Sequence, residues 1–251
     1  MNAQLIIVEG LPCSGKSTTS AWIASLLGQN KKVCFVDEGT GDHPADYEFH
    51  ALAPAGLLSE ESQIVPLSQF SGKLLEKLLP YKIYDGLDWK TESLLMLEKW
   101  QAFVDNAQKD KDTIYVFNCV LLQNPMCETM MRFGFSREES QNYIEQIVKI
   151  IQPMNPVVIY LKNNDIADSI EQTSKNRPGW LESVIDYHIS GKYGQSIQAK
   201  GLNGYLDCLE ERQKRELEIL SKLPLQKLVV ENPQRSWSIA QQNIAAYLQT
   251  L

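Results

Sequence analysis

Residues that bind metals or form disulfides are scarce. Three histidines (His43, His50, His188) and five cysteines (Cys13, Cys34, Cys119, Cys127, Cys208) lie far apart, and no Cys-x-x-Cys occurs. An odd, widely spaced set builds neither a disulfide frame nor a structural zinc site. It fits reduced thiols, and a cytoplasmic location is the expectation. Long apolar runs are missing as well. The first one, Leu5-Ile6-Ile7-Val8, stops at Glu9 and has no basic residues before it. That is short of a secretory core of about 7–15 residues and of a membrane span of about 20, so no membrane partner is expected. A basic surplus is also lacking: 24 Lys and Arg stand against 31 Asp and Glu, for a net charge of −7. Such a surface repels a nucleic-acid backbone, and nucleic acid is not expected as a partner. A local cationic cleft for one small anion is untouched by that sum. No repeat, low-complexity tract or Gly/Ser linker divides the chain, so residues 1–251 read as a single domain.

What is present is a regular alternation. Hydrophobic residues make up 43% of the chain, enough to offset chain entropy and form a core. Short β-rich runs fall at residues 5–8, 32–36, 113–117, 156–161 and 227–230. Each is continuous in Val, Ile, Phe or Tyr, as strands buried on both faces are. Helical periodicity falls at 17–28, 71–79, 91–108, 137–151, 166–174, 206–223 and 238–248. Strands alternating with helices predict an α/β fold with a parallel sheet. About 80 residues separate the second and third runs, far more than a crossover needs. Residues 39–112 are therefore expected to form a helical insertion on the acceptor side. Residues 166–205 hold Asn176-Arg177-Pro178-Gly179 and Gly191-Lys192-Tyr193-Gly194. They read equally as a lid or as ordinary connections.

The sharpest local signal is Gly10-Leu11-Pro12-Cys13-Ser14-Gly15-Lys16-Ser17, which fits G-x-x-x-x-G-K-[ST] without a gap. It stands after a buried strand and before a helix, where the loop N–H groups can wrap a phosphate of ATP. In that arrangement Gly10, Pro12, Cys13, Ser14 and Gly15 form the loop, Lys16 reaches the β- and γ-phosphates, and Thr18 touches the α-phosphate. Ser17 places its hydroxyl on Mg²⁺. Cys13 sits at a helix start, which lowers a thiol's pKa; a plain small filler is the alternative. Ile6-Ile7-Val8-Glu9-Gly10 followed by Gly15-Lys16-Ser17-Thr18 resembles the opening of thymidylate kinases and related P-loop nucleoside, nucleotide and small-molecule kinases. The resemblance covers about the first 40 residues. It implies a P-loop three-layer α/β sandwich with a five-stranded parallel sheet in order 2-3-1-4-5, ATP and Mg²⁺, a lid after strand four, and a homodimer as in many relatives. There are departures. Asn118-Cys119 stands where thymidylate kinases carry an Asp-Arg pair, and the usual acid at the end of strand three is missing.

Phosphoryl transfer also needs an acid near the phosphate loop and a cation over the transferring group. Asp37 and Glu38 end the second run, suiting a general base or, for Asp37, a metal ligand. The choice between them is open. Asp42, His43, Asp46 and Tyr47 follow in a Gly-rich stretch, and Asn118 and Gln123 follow strand three. These are candidate acceptor contacts; a turn and a helix cap are the alternatives. Arg177 and Lys175 fall where the lid would be, while Arg212 and Arg215 read as a solvated helix face. Asn232-Pro233-Gln234 borders the adenine or merely connects. The leading expectation is an ATP-dependent kinase moving the γ-phosphate to a small-molecule hydroxyl or phosphate: a nucleoside, nucleotide, sugar or antibiotic. The competing class is a nucleotide-binding or nucleotide-hydrolysing switch with no acceptor. No N-K-x-D or D-x-x-G of a guanine switch occurs, and a motor ATPase would need the missing acid pair.

Overall fold

A computed structural model describes residues 2–175 and 177–251. Asn176, part of the lid expectation, lies outside the described residues. Five parallel strands form the central sheet: β1 (Leu5–Gly10), β2 (Lys32–Val36), β5 (Thr113–Asn118), β6 (Val157–Lys162) and β7 (Gln226–Glu231). Their order is β2-β5-β1-β6-β7. Two further strands, β3 (His50–Ala53) and β4 (Gln63–Pro66), pair antiparallel as a separate hairpin. Sequence reading expected helices alone in that interval and five strands in all. The hairpin is why the order in chain numbering is 2-5-1-6-7 and not 2-3-1-4-5.

Strand alternation sorts the core into two layers. Leu5, Ile7, Phe117, Val158 and Tyr160 face one cluster, packed with Trp100, Phe103, Ile144 and Ile147 of the helices Trp89–Ala107 and Arg137–Ile151. Ile6, Val8, Val116, Ile159 and Leu161 face the other, with Ile23 of Lys16–Gly28 and Ile244 of Trp237–Gln249. The period of two sends neighbouring residues to opposite faces, and a helical layer covers each. Local capping sets the helix starts. Asp88 accepts the Thr91 N–H at 3.1 Å, Asp165 accepts that of Asp168 at 3.0 Å, and Ser136 with Glu139 forms a capping box. Among the described residues no helix is long and apolar enough to cross a membrane.

β1 is central, so its carboxyl end opens into the crevice between β5 and β6. Open α/β sheets bind ligands at such a position. The helices Ile166–Ser174 and Trp180–Ile189, with the long helix Gly201–Lys222 behind them, cover the crevice from the β6 side.

Candidate active site

The loop after β1 is shaped by two glycines. Gly10 and Gly15 take φ of 144° and 91°. A Cβ on Gly10 would come within 2.5 Å of the Leu161 carbonyl oxygen, and one on Gly15 would overlap the Trp237 ring. Only glycine fits either place. The helix Lys16–Gly28 starts at Gly15 with no side-chain cap, so its first N–H groups have no intramolecular acceptor from a cap. Ser14 Oγ is buried with no hydrogen-bond partner. Ser17 and Thr18 are exposed. Lys16 is buried and its Nζ donates to the Leu11 carbonyl at 2.8 Å. The Gln234 side chain donates to the Cys13 carbonyl and ties the 232–234 loop to this one. Burial raises the Cys13 thiol pKa, with Lys16 and Arg177 opposing. The activation expected from the helix start is therefore outweighed.

The ends of β2 and β5 form a linked set. Asn118 is fully buried and its amide is spent within the protein. Its Oδ1 accepts the Glu38 N–H at 2.9 Å, and its Nδ2 donates to Asp37 and, at 3.2 Å, to Ser20 Oγ. Asn118 thus holds the two acids in place. Glu38 is exposed to the cleft. Its Oε1 accepts from Gln123 Nε2 at 2.7 Å and its Oε2 from the Cys119 thiol at 2.9 Å.

Glu9 is the feature sequence reading passed over. Fully buried at the end of β1, it accepts the N–H groups of Leu121, Leu122 and Gln123 at 2.7, 3.0 and 3.0 Å. It fixes the turn that carries Cys119 and Gln123. Burial pushes its carboxyl up to about 7 against those three donors. A lone carboxylate closing an apolar strand was the available signal.

Two cavities meet at this set. A first chamber of about 400 Å³ is lined by Pro12, Cys13, Gly15, Lys16, Ser17 and Thr18 on one side and by Arg177, Trp180 and Tyr205 on the other. A second chamber of about 340 Å³ is lined by Glu48, Phe49, Lys82, Tyr84, Asp85 and Tyr187, with Asn124, Cys127 and Glu128 deeper in. Glu38, Gln123, Val184 and His188 line both.

Asp42, His43, Asp46 and Tyr47, expected at the acceptor, line neither chamber. His43 is buried edge-on to Phe117 at 4.4 Å and accepts the Ala45 N–H at Nδ1; burial depresses its pKa to about 4. Asp46 is buried behind the wall and accepts from Tyr84 Oη at 2.5 Å and Asn124 Nδ2 at 3.1 Å. It therefore holds two residues that do line the second chamber. The Tyr47 ring packs under the Lys99 ammonium at 4.6 Å. Lys175 pairs with Glu171 at 3.1 Å, and it does not line the first chamber.

Arg212 reverses its expectation. It is fully buried, not solvated, with Nε 2.9 Å from Glu216 Oε1 and Nη1 donating to the Cys127 sulfur at 3.1 Å. Glu216 in turn accepts from Tyr160 Oη at 2.6 Å. The sequence EERQKRELE gives equal charge density on all sides, so the buried stripe was hidden within it. Arg215 pairs with Glu211 at 2.8 Å.

No family model and no curated protein matches the sequence. Among solved structures the chain is similar to the thymidylate kinase from Ehrlichia chaffeensis. Identity is 13% over 91% of this chain and 86% of that one, with a TM-score of 0.46.

Proposed function

We propose that the chain is an ATP-dependent phosphotransferase acting on a small-molecule acceptor. The observation that carries this reading is the junction of the two chambers: one carboxylate, Glu38, stands in the wall between the phosphate loop and a second cavity. A nucleotide switch has no use for that second cavity.

In this reading the loop N–H groups and Lys16 hold the β- and γ-phosphates of ATP, and Thr18 borders the α-phosphate. Lys16 leaves the Leu11 carbonyl to do so. Arg177 neutralises charge on the transferring group from the opposite wall. Glu38 accepts the proton of an acceptor hydroxyl as its oxygen bonds to the γ-phosphorus and the bond to the β-phosphate oxygen breaks, releasing ADP. Gln123 and Cys119 orient that carboxylate, and Asp37 is the weaker candidate because it does not line either chamber. For Mg²⁺, among the described residues no cluster of three or more His, Cys, Asp or Glu occurs. The donor set offered is the exposed Ser17 hydroxyl; Asp37, the other expected ligand, is held by Asn118 outside that lining. That sparse set suits an ion that keeps most of its waters. Bound there, Mg²⁺ would offset phosphate charge.

The test is mass spectrometry of a mixed metabolite panel with ATP and MgCl₂. A product heavier by one phosphoryl group, absent with Lys16→Ala, is expected. ATP hydrolysis that is unchanged by any acceptor would favour the switch.

A further inference from the structure

Resting on the kinase reading, the geometry points to an acceptor that carries hydroxyl groups and at least one ammonium group, such as an amino sugar or amino alcohol, and not an already phosphorylated compound. Its carrying observation is the polarity of the second chamber. Four carboxylates line it, Glu38, Glu48, Asp85 and Glu128, against one ammonium, Lys82. Internal pairing accounts for part of that. Lys82 is held by Asp85 at 2.8 Å, and Glu128 by Arg132 at 2.6 Å. Glu38 and Glu48 form no ion pair. Glu48 accepts only the Gly39 N–H, at 2.6 Å, and feels Glu38 and Asp46, with Lys82 opposing them from a distance. A phosphate dianion entering here would meet four carboxylates against Lys82, already paired with Asp85; further cations, Arg132 and Lys192, stand only in the adjoining cavity.

Unpartnered atoms argue the same way. Gln123 is 8% exposed and lines both chambers, and its Oε1 is buried with no hydrogen-bond partner. Its orientation is fixed because its Nε2 donates to Glu38, which can only accept while ionised. The free oxygen therefore faces no protein donor and wants a hydroxyl or N–H from a ligand. His188 is also 8% exposed, lines both chambers, and leaves Nδ1 unpartnered. Burial and the nearby Arg212 keep its imidazole neutral, with its pKa lowered to about 3. It supplies a further polar contact with no added positive charge. Glu38, Glu48 above its value of about 7, and the free amide oxygen are all acceptors, so the complementary ligand is rich in donors and is best titrated at pH 8.

The experiment is calorimetric titration of the full chain without nucleotide, with charge series on one scaffold: glucosamine, glucose and glucose 6-phosphate, and kanamycin as a polyamine. This reads the inference whether or not phosphoryl transfer follows; transfer with ATP is then scored separately, so the kinase reading can fail alone. Amines should bind about tenfold or more tightly than the neutral analogue, with the preference fading in high salt, and glucose 6-phosphate should bind weakest. Glu48→Gln keeps an oxygen for the Gly39 N–H, so the loop should hold. It should cut the amine-over-neutral ratio about tenfold and leave glucose within about threefold. Tightest binding of the phosphate, no amine binding at all, or an amine preference indifferent to Glu48→Gln would overturn the inference.

Discussion

The two chambers share a wall and carry opposite charge. On the phosphate-loop side, Lys16 and Arg177 face the cavity and the helix start adds its own positive end. On the far side, four carboxylates stand against Lys82 alone. The donor side is built from backbone: glycine conformations, uncapped N–H groups and a lysine resting on its own loop. The acceptor side is built from side chains drawn from separate segments, each held by a second residue. A backbone site reads any polyphosphate, while a side-chain site discriminates. Differences in the consequence of mutation follow.

The largest effect should come from Lys16, the cation carried by the loop itself. Lys16→Ala should lower turnover by about a thousandfold or more, since it removes charge stabilisation at the transferring group. Initial-rate assays with the acceptor saturating check it. A residual rate within tenfold of wild type would remove the phosphate loop from the chemistry. Next, Glu38→Gln should lower kcat by about 10²–10⁴-fold, the usual worth of a general base. ATP affinity should hold, because the phosphates rest on the loop. If Asp37→Asn gives the large loss instead, the base is Asp37 and the wall between the chambers is passive.

The third effect tests support for that wall. Arg212 is buried against Glu216 and the Cys127 sulfur, and Cys127 lines the acceptor chamber. Arg212→Met would leave Glu216 buried without a cation, held by the Tyr160 hydroxyl, at a cost of about 3–5 kcal/mol. Urea denaturation measures it. Replacing Arg212 and Glu216 together, with Met and Leu, should recover much of the loss. A single mutant as stable as wild type would mean that the pair carries no net interaction.

The contrast between chambers also explains what sequence could convey. The loop Gly10–Thr18 was readable because its chemistry lies in consecutive residues with fixed spacing. The strands were readable because burial on both faces leaves continuous apolar runs such as Thr113–Phe117. The hairpin His50–Ala53 with Gln63–Pro66 was not, since alanine and proline give little β signal and the strands are four residues each. The acceptor chamber was half visible. Glu38 and Gln123 were found by their place after strand ends. Glu48, Lys82, Asp85 and His188 come together only through tertiary packing of segments about 140 residues apart, and nothing local marks them. Asp42, His43, Asp46 and Tyr47 stood in the right segment, but the chain turns them toward the core or solvent and presents Glu48 and Phe49 to the cavity.

The smallest effect separates the two sides by pH. Glu9 under the donor side and Glu48 on the acceptor side both have carboxyls pushed up to about 7 from an ordinary 4.5, chiefly by burial. Between those values the folded chain holds protons that the unfolded chain releases, so stability rises as pH falls from 8 toward 6.5. Below about 6.5 the unfolded histidines take up protons that His43 and His188, with pKa values lowered to about 4 and 3, refuse in the fold. That opposing uptake flattens the curve. From pH 8 to 6.5 the gain from Glu9 and Glu48 should be about 1 kcal/mol, after Glu48's share is discounted for its partial exposure, and Asp46 and Glu92, raised likewise, add to it. Urea midpoints at pH 8, 7, 6.5 and 5.5 measure it, with Glu48→Gln as the partner variant. A smaller rise in the variant assigns part of the proton uptake to Glu48. An unchanged rise places it on Glu9 and the other buried carboxyls, Asp46 and Glu92, whose values are also pushed up by burial, and leaves Glu48 ionised and ready for a cation at every pH in the series.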